Sequence, residues 1–460
     1  MMVWRTPSHR GGLFVVLAPN SIVMQTSTEP PRLRILWVKA LKLPPVDTGS
    51  KIRSFYILRA LAQRHDVTVL TYHDGGPDAL YQSEMKKLFD LPVTLPVRLR
   101  GATRGTRPLG FLATLLRREP YQVTKFESPP VRDWLSAGLT PQRFDVAVCD
   151  FLAPSLNFPK SSRVPTVLFQ HNVESVLWAR KAHTTERILN RYAFGFEARR
   201  LATFEAVTVR AFDHVIAVSE ADRLAMLPMA TADHFTVVPT GVDVRQYQSL
   251  VGLGGSGKEV VFIGSMDWEP NIDGVLWFCR DVWPAIVETH PEARLTIVGR
   301  NPPQSIVELR SKAIEITGRV DEVNPYLQRA SVVIVPLLAG GGTRLKIYEA
   351  MAAGRAVVST TVGAEGLDVL QGQDILLADG QTSFAASVSR LLSHVDERAR
   401  IGRAAAVTAA RFDWSEVTHE FEKALRTAIS QKKALNATAS GADTSNTGLS
   451  TNPLIQSRSG

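Results

Sequence analysis

The stretch Ala339 to Thr360, AGGGTRLKIYEAMAAGRAVVST, joins a glycine run, two cations and a carboxylate. Ser331 to Val335 (SVVIV) reads as a buried strand, Pro336 to Gly342 as its exit loop, Thr343 to Ala353 as a helix that Gly354 stops, and Ala356 to Thr360 as the next strand. Gly340, Gly341 and Gly342 let the backbone approach a ligand with no Cβ in the way. The helix that opens at Thr343 turns free N–H groups and the positive end of its dipole to the same place. Arg344 and Lys346 add mobile positive charge, and Glu349 can accept hydrogen bonds from ribose hydroxyls. This is the chemistry of a phosphate-bearing ligand. Each part also has a plain reading, since Lys346 and Glu349 can be an ordinary surface pair and the glycines a flexible turn. Their coincidence beside an apolar strand favours the ligand.

Other candidates lie in the first half of the chain. The loop Pro44 to Ser50 (PPVDTGS) follows the first buried strand and opens a helix, so Gly49 and Ser50 stand where backbone can close over a diphosphate. A simple turn with Ser50 as N-cap is the equal alternative. His171, in QHNVE, follows the apolar run Val164 to Phe169, at the carboxyl end of a parallel strand. A lone histidine is more often structural, but that position tips the balance toward function, with Asn172 and Glu174 as weaker companions. No Asp-x-Asp pair and no His or Cys cluster of ligand spacing appears in the sequence, so no metal is expected to be required.

The elements that must position these residues alternate. Leu33 to Val38 reads as the first strand, followed by helix Lys51 to Arg64, strands Val67 to Thr71, Phe144 to Cys149 and Val164 to Gln170, a long helix around Ile188 to Val207, and strand His214 to Ser219. A second run begins at Glu259, with strands Glu259 to Gly264, Arg294 to Gly299, Ile314 to Gly318, Ser331 to Val335 and Ala356 to Thr360. The expected fold class is α/β: two Rossmann-like domains, each a mostly parallel sheet covered on both faces. Val251 to Lys258 (VGLGGSGK) is the hinge candidate, and a strand follows its GSGK rather than preceding it, which rules out a phosphate loop. The expected divisions are a disordered leader 1–32, a first domain 33–245, a linker 246–258, a second domain 259–415, a final amphipathic helix 416–432 and a disordered tail 433–460.

Phe262 to Trp277 (FIGSMDWEPNIDGVLW), Leu295 to Gly299 (LTIVG), Val238 to Asp243 (VPTGVD), the glycine segment and Gly363 to Leu367 (GAEGL) stand in one order, and together they resemble the retaining glycosyltransferases of family 4. The resemblance covers roughly residues 33 to 430. It implies the two-domain GT-B fold with a last helix that crosses back to the first domain, and a nucleoside-diphosphate sugar donor on the second domain. It also implies a sugar or lipid-linked acceptor, retention of configuration, a role in polysaccharide or glycolipid synthesis, and a cleft histidine at His171 near the donor sugar. Many members place an Arg after the first strand's Gly, a Lys a few residues on, and a Glu-x7-Glu pair. Here Ser265 follows Gly264, Pro270 and Asn271 occupy the lysine region, and Gly341 replaces the first Glu, leaving Glu349 as the second. Arg344 and Lys346 supply the missing charges from the other side of the pocket. Catalysis is thus expected of His171, Arg344 and Lys346, and donor binding of Gly49, Ser50, Gly264, Gly340 to Thr343 and Glu349.

Composition fits this frame. With 460 residues, 45% of them hydrophobic, the chain can build two sizeable cores. Its two cysteines, Cys149 and Cys279, read as core residues, and a reducing cytoplasm is the simplest compartment. The apolar stretch Gly12 to Met24 is interrupted and too short to span a bilayer. The net charge of +9 is concentrated in Arg98 to Lys125, where seven Arg or Lys stand against Glu119 alone. There Phe111, Leu112, Leu115 and Leu116 have helical spacing, so a helix lying on an anionic membrane and a solvated loop are equal readings. No nucleic-acid-binding motif accompanies the charge. Against the enzyme stands one alternative from another class, a catalytically silent nucleotide-sugar-binding or scaffold subunit. An epimerase of related shape lacks its own motifs here, and a periplasmic solute-binding protein would need an export signal.

Overall fold

The computed structural model describes residues 31–99, 119–185, 187–252, 255, 257–339 and 345–444. Gly340, Gly341, Gly342, Thr343 and Arg344, most of the leader, most of the basic stretch and the end of the tail therefore lie outside the described residues.

Two parallel sheets carry the fold. The first has seven strands: β1 (Arg34–Ala40), β2 (Asp66–Asp74), β3 (Leu91–Val97), β4 (Val146–Asp150), β5 (Thr166–Gln170), β6 (His214–Ala217) and β7 (Phe235–Val237), in the order β3-β2-β1-β4-β5-β6-β7. The second has six: β8 (Glu259–Ile263), β9 (Arg294–Val298), β10 (Ile314–Gly318), β11 (Val332–Val335), β12 (Ala356–Ser359) and β13 (Leu376–Leu377), in the order β10-β9-β8-β11-β12-β13. Central strands such as Val146–Asp150 and Val332–Val335 are buried at every position, as continuous apolar runs in a sheet covered on both faces must be. Ile35 pairs with Val67 on one side and Val146 on the other, and Val332 with Val260 and Ala356, which fixes the register of both sheets.

The strands that sequence reading passes over are edge strands. Leu91–Val97 contains Pro92 and Pro96, which a central strand excludes, while β7 and β13 are too short to show a pattern.

Six helices matter for the site: α1 (Gly49–Arg64), α2 (Glu174–Thr184), α3 (Ile188–Ala211), α4 (Glu269–Trp277), α5 (Leu345–Ala352) and α6 (Trp414–Thr444). Helix α5 ends where Gly354 adopts a φ of +69°, a left-handed turn open to glycine at no steric cost. Trp414, Val417, Phe421 and Leu425 of α6 join the core cluster of β1, β4 and β5. Phe421 lies 5.4 Å from Trp37 and 5.0 Å from Phe169, and Trp414 stacks on Tyr56 at 5.1 Å. The last helix thus returns to the first sheet, and it runs past its expected end at Lys432 to Thr444, through the alanine-rich ALNATAS. In the connection between the sheets the Gly255 carbonyl accepts from Ser331 Oγ at 3.3 Å and Arg398 Nη2 at 3.1 Å, and a Cβ there would strike the Arg329 carbonyl. Gly255 therefore serves close approach rather than free hinging. The described residues from Leu33 onward form one compact unit.

Each sheet reverses strand order once, between β1 and β4 and between β8 and β11. In open α/β sheets ligands bind outside the carboxyl ends of the strands at such switch points. The chain places its polar residues there.

Candidate functional site

At the second switch point, Gly264 follows β8 and donates its N–H to the Val298 carbonyl at 2.9 Å. From α4, Asn271 Nδ2 donates to the Ser265 carbonyl at 2.7 Å, and Lys346 Nζ of α5 donates to Asn271 Oδ1 at 2.6 Å. The ammonium lies 4.6 Å from the centre of the Phe262 ring, which holds it by a cation–π contact. A Cβ on Gly264 would stand 2.8 Å from Lys346 Nζ and 2.9 Å from Asn271 Nδ2, so any larger residue would displace the charge. The structure thereby joins Gly264 to Lys346. The cation that Asn271 does not itself provide reaches the same spot from α5.

Glu349 lies farther along α5, partly exposed. Burial raises its carboxyl pKa, against the pull of Lys346 and of a hydrogen bond with Tyr247, whose hydroxyl is itself pushed up by burial and then by Glu349. Sequence reading missed Arg300, the residue after the carboxyl-end Gly299 of β9. Its Nε donates to Ser265 Oγ at 3.1 Å and Asp267 Oδ2 at 2.8 Å. A guanidinium therefore sits beside the residue that follows Gly264. The signal for it was positional, a lone cation just beyond a strand at the carboxyl edge.

Across from α5, the first helix begins at Gly49, and a Cβ there would lie 3.7 Å from Leu345 Cδ1. Two helix N-termini meet. Ser50 is the second residue of α1, not its cap. Thr48 precedes the helix and makes no side-chain capping bond, which leaves first-turn N–H groups without a side-chain acceptor. Asp47 pairs with Lys51 at 3.2 Å and with Arg300 at 3.5 Å.

At the first switch point a buried ionic cluster spans β1, β4, β5 and α1. Asp150 Oδ2 accepts from Trp37 Nε1 at 2.9 Å, Lys39 Nζ at 2.9 Å and Ser54 Oγ at 2.7 Å, while Oδ1 faces His171 Nε2 at 2.7 Å. Arg53 Nη1 meets His171 Nδ1 at 2.9 Å, and its Nε meets Thr240 Oγ1 at 2.9 Å. Arg53 has only protons to give, so Nδ1 accepts and Nε2 carries the proton donated to Asp150: a neutral imidazole of fixed tautomer. Burial lowers the His171 pKa to about 4 against the pull of Asp150, and burial lowers that of Arg53 to about 10. Burial would raise Asp150, but Lys39 and then His171 outweigh it and hold the carboxyl well below the usual range.

His171 is the residue expected near the donor sugar. Its side chain is 1% exposed, stacks on Phe151 at 4.9 Å and has both nitrogens engaged inside the first domain. It positions Arg53 and Asp150 and presents no free nitrogen to a sugar. Asn172 and Glu174 begin the next segment. Glu205 accepts from the Glu174 and Ser175 N–H groups at 2.8 and 3.1 Å and so caps α2. Burial first, then Glu205, pushes the Glu174 carboxyl up to about 7.

Further contacts join the halves. Arg180 of α2 grips Glu365 of the GAEGL loop through two bonds of 2.9 Å, and Gly366 of that loop lies against Ser219. A cavity of about 90 Å³ remains there, lined by Asn172, Asp222 and Glu365 among others. Among the described residues no group of three or more His, Cys, Asp or Glu is arranged to hold a metal. Cys149 and Cys279 are buried thiols, and burial raises both pKa values, the second to about 12.

The chain is similar to known proteins. The chain matches the family model described as Glycosyltransferase Family 4 over residues 49–246 and that described as Glycosyl transferases group 1 over residues 257–394. A phosphatidyl-myo-inositol mannosyltransferase of Mycobacterium leprae is 29% identical over 225 residues, 46% of this chain and 58% of that protein. An uncharacterized 44.6 kDa protein in the cps region of Klebsiella pneumoniae is 31% identical over 136 residues, 27% of this chain and 35% of that one. The chain thus spans from 35% to 58% of the length of these two relatives. Among solved structures, sucrose-phosphate synthase from Thermosynechococcus elongatus superimposes with a TM-score of 0.61 at 16% identity, over 87% of this chain and 100% of that one. Anabaena HepE in complex with UDP and glucose does so with 0.58 at 15% identity, over 86% and 100%. At such identities these two likenesses speak for the fold alone, which is GT-B. With the two family models matching one domain each, the chain belongs to the family 4, group 1 glycosyltransferases.

Proposed function

We propose that the protein moves a sugar from a nucleoside-diphosphate donor to a sugar or lipid-linked acceptor with retention of configuration, in the synthesis of a polysaccharide or glycolipid. The observation that carries this reading is the meeting of the α1 and α5 N-termini beside Lys346 and Gly264. As the anomeric C–O bond breaks, its electron pair passes to the departing phosphate oxygen. Lys346 and the first-turn N–H groups of α1 offset the growing charge, and the same role is assigned to Arg344 from its place in the sequence. Glu349 holds the donor ribose, and contact with the diphosphate or the donor sugar is assigned from the sequence to the Gly340 to Thr343 backbone. Retention and the class of product rest on the family. HepE has been solved with UDP-glucose, and another neighbour of the same fold, WaaG, is described as a glycosyltransferase involved in lipopolysaccharide biosynthesis. No helix among the described residues is long and apolar enough to cross a membrane. The reading places a lipid-linked acceptor at the cytoplasmic membrane face, met by peripheral contact.

A panel of nucleoside-diphosphate sugars, screened by thermal shift and then by donor hydrolysis in the presence of EDTA, tests this directly. One donor should raise the unfolding midpoint and be hydrolysed without divalent ions. Binding without turnover would instead make the chain a silent nucleotide-sugar-binding subunit, and loss of turnover in EDTA would end the metal-independent reading. With the donor known, Glu349→Ala should weaken binding of the free nucleoside diphosphate about ten- to a hundredfold, the scale of hydrogen bonds to a charged group. Titration calorimetry showing unchanged affinity would remove Glu349 from the ribose.

A further inference from the structure

Helices α2 and α3 form a hairpin that leaves the first domain just after His171. Its inner side is packed: Trp178 meets Phe194 edge-on at 5.4 Å, Lys181 lies over both rings at 5.2 and 4.9 Å, and Ala198, Leu201 and Glu205 are buried farther along α3. Its outer side is not. Ile188 is 68% exposed, Leu189 84%, Tyr192 74% and Phe196 45%. Ile188, Tyr192 and Phe196 are spaced four apart and so form one stripe along the helix. A stripe of this kind at the start of a helix is costly to leave in water and unusual on a chain whose other exposed apolar side chains are mostly scattered.

Most of the charges around it are positive. Between residues 181 and 200 the sequence holds Lys181, Arg187, Arg191, Arg199 and Arg200 against Glu186 and Glu197, and Glu197 is buried. Arg187, Arg191 and Arg199 are exposed and flank the stripe. Two aromatic and two aliphatic side chains rimmed by arginines match the interface of an anionic bilayer, where the apolar groups enter the acyl boundary and the guanidiniums meet lipid phosphates. A second copy of the chain fits less well, because a two-fold contact through this face would set arginine against arginine.

We propose that the outer face of the α2–α3 hairpin, centred on Ile188, Leu189, Tyr192 and Phe196, docks the protein on an anionic lipid surface. The same α2 carries Arg180, which grips Glu365 of the second domain, so the docked hairpin holds the junction of the two domains close to the membrane. That consequence for a lipid-linked acceptor rests on the transferase reading, whereas the docking itself does not.

The test is vesicle co-sedimentation of the full chain, with phosphatidylcholine alone and with phosphatidylcholine mixed with phosphatidylglycerol. Three proteins are compared with the natural one: Arg187→Gln/Arg191→Gln/Arg199→Gln, Ile188→Ser/Leu189→Ser/Tyr192→Ser, and Arg104→Gln/Arg107→Gln/Arg117→Gln/Arg118→Gln in the separate basic stretch. The hairpin positions are exposed, so unchanged unfolding midpoints are expected and show that folding is not at issue. The natural protein should bind only the vesicles with phosphatidylglycerol. The arginine variant should bind about a hundredfold more weakly, on a scale of roughly fivefold per cation near an anionic surface. The serine variant should lose the part of the binding that survives high salt. Binding that ignores phosphatidylglycerol, or two hairpin variants that bind like the natural protein while the Arg104 set does not, would overturn the proposal. So would analytical ultracentrifugation showing a dimer that the hairpin variants dissolve while vesicle binding is unaltered.

Discussion

A protein carrying Lys346→Ala should transfer sugar about a hundred- to a thousandfold more slowly than the natural chain, because a charge stabiliser preorganised toward a leaving diphosphate contributes that much to turnover. The side chain is held in place by Asn271 Oδ1 and the Phe262 ring, so it does not have to be ordered at the moment of reaction. Losing one hydrogen bond and one cation–π contact should lower stability by only about 1–2 kcal/mol, and the unfolding midpoint should fall by a few degrees. Lys346→Arg should recover part of the loss. The charge returns, but a planar guanidinium does not fit the space over Gly264 that a compact ammonium fills. Stopped-flow or steady-state rates with the identified donor measure the effect, and kcat should fall more than KM rises, since the charge matters most as the bond breaks. Equal turnover in the two proteins would move Lys346 out of the reaction and leave Arg300, on the other side of Gly264, as the cation to test.

Most of what places Lys346 was legible along the chain. The apolar runs around Val332 and Val260 are long enough to mark central parallel strands, and a glycine segment between strand and helix has few other uses beside a cation pair. That Lys346 supplies a charge missing after Gly264 was expected from the family pattern, whereas the contact itself depends on β8 and β11 being neighbours, which the sheet order shows. The polar contacts that cross long sequence intervals were not legible. Lys39 meets Asp150 and Arg53 meets His171 across more than a hundred residues, and no local pattern predicts which of several strand-end charges will be buried together. His171 was therefore read as a cleft residue from its place at the end of β5, when its neighbours enclose it. Arg300 was passed over for the same reason, since its partners Ser265 and Asp267 come from the loop after β8 and Asp47 from the first domain. Ser50 shows a smaller failure. A serine near a helix start suits an N-cap, but the helix begins one residue earlier at Gly49. The early end assigned to α6 came from reading the polar residues after Asn436 as tail, although the alanines among them favour helix.

The buried cluster at the first switch point should govern acid stability. Removing its central acceptor by Asp150→Ala leaves Lys39 and Arg53 in the core without their carboxylate and should cost about 3–5 kcal/mol at pH 7. His171→Gln is gentler and more informative, since glutamine can still give a proton to Asp150 and accept one from Arg53 but does not titrate. In the natural protein His171 has a folded-state pKa of about 4, set by burial, while the unfolded chain takes up its proton near pH 6.5. Between those values the unfolded state binds more protons, so this group's contribution is intact above about pH 6.5 and is lost as pH falls toward 4. The full loss is about 3 kcal/mol, from roughly 1.4 kcal/mol per pH unit. Asp150 adds a separate loss in more acidic solution, because a carboxyl whose folded-state pKa is depressed stabilises the fold only above its unfolded value, near 3.9. The natural protein should therefore lead the His171→Gln protein by most at neutral pH, and urea unfolding at a series of pH values should show the gap closing between about pH 6.5 and 4.5. A gap that stays constant across that range would mean that His171 titrates alike in the folded and unfolded chains, which a neutral imidazole locked between Arg53 and Asp150 cannot do.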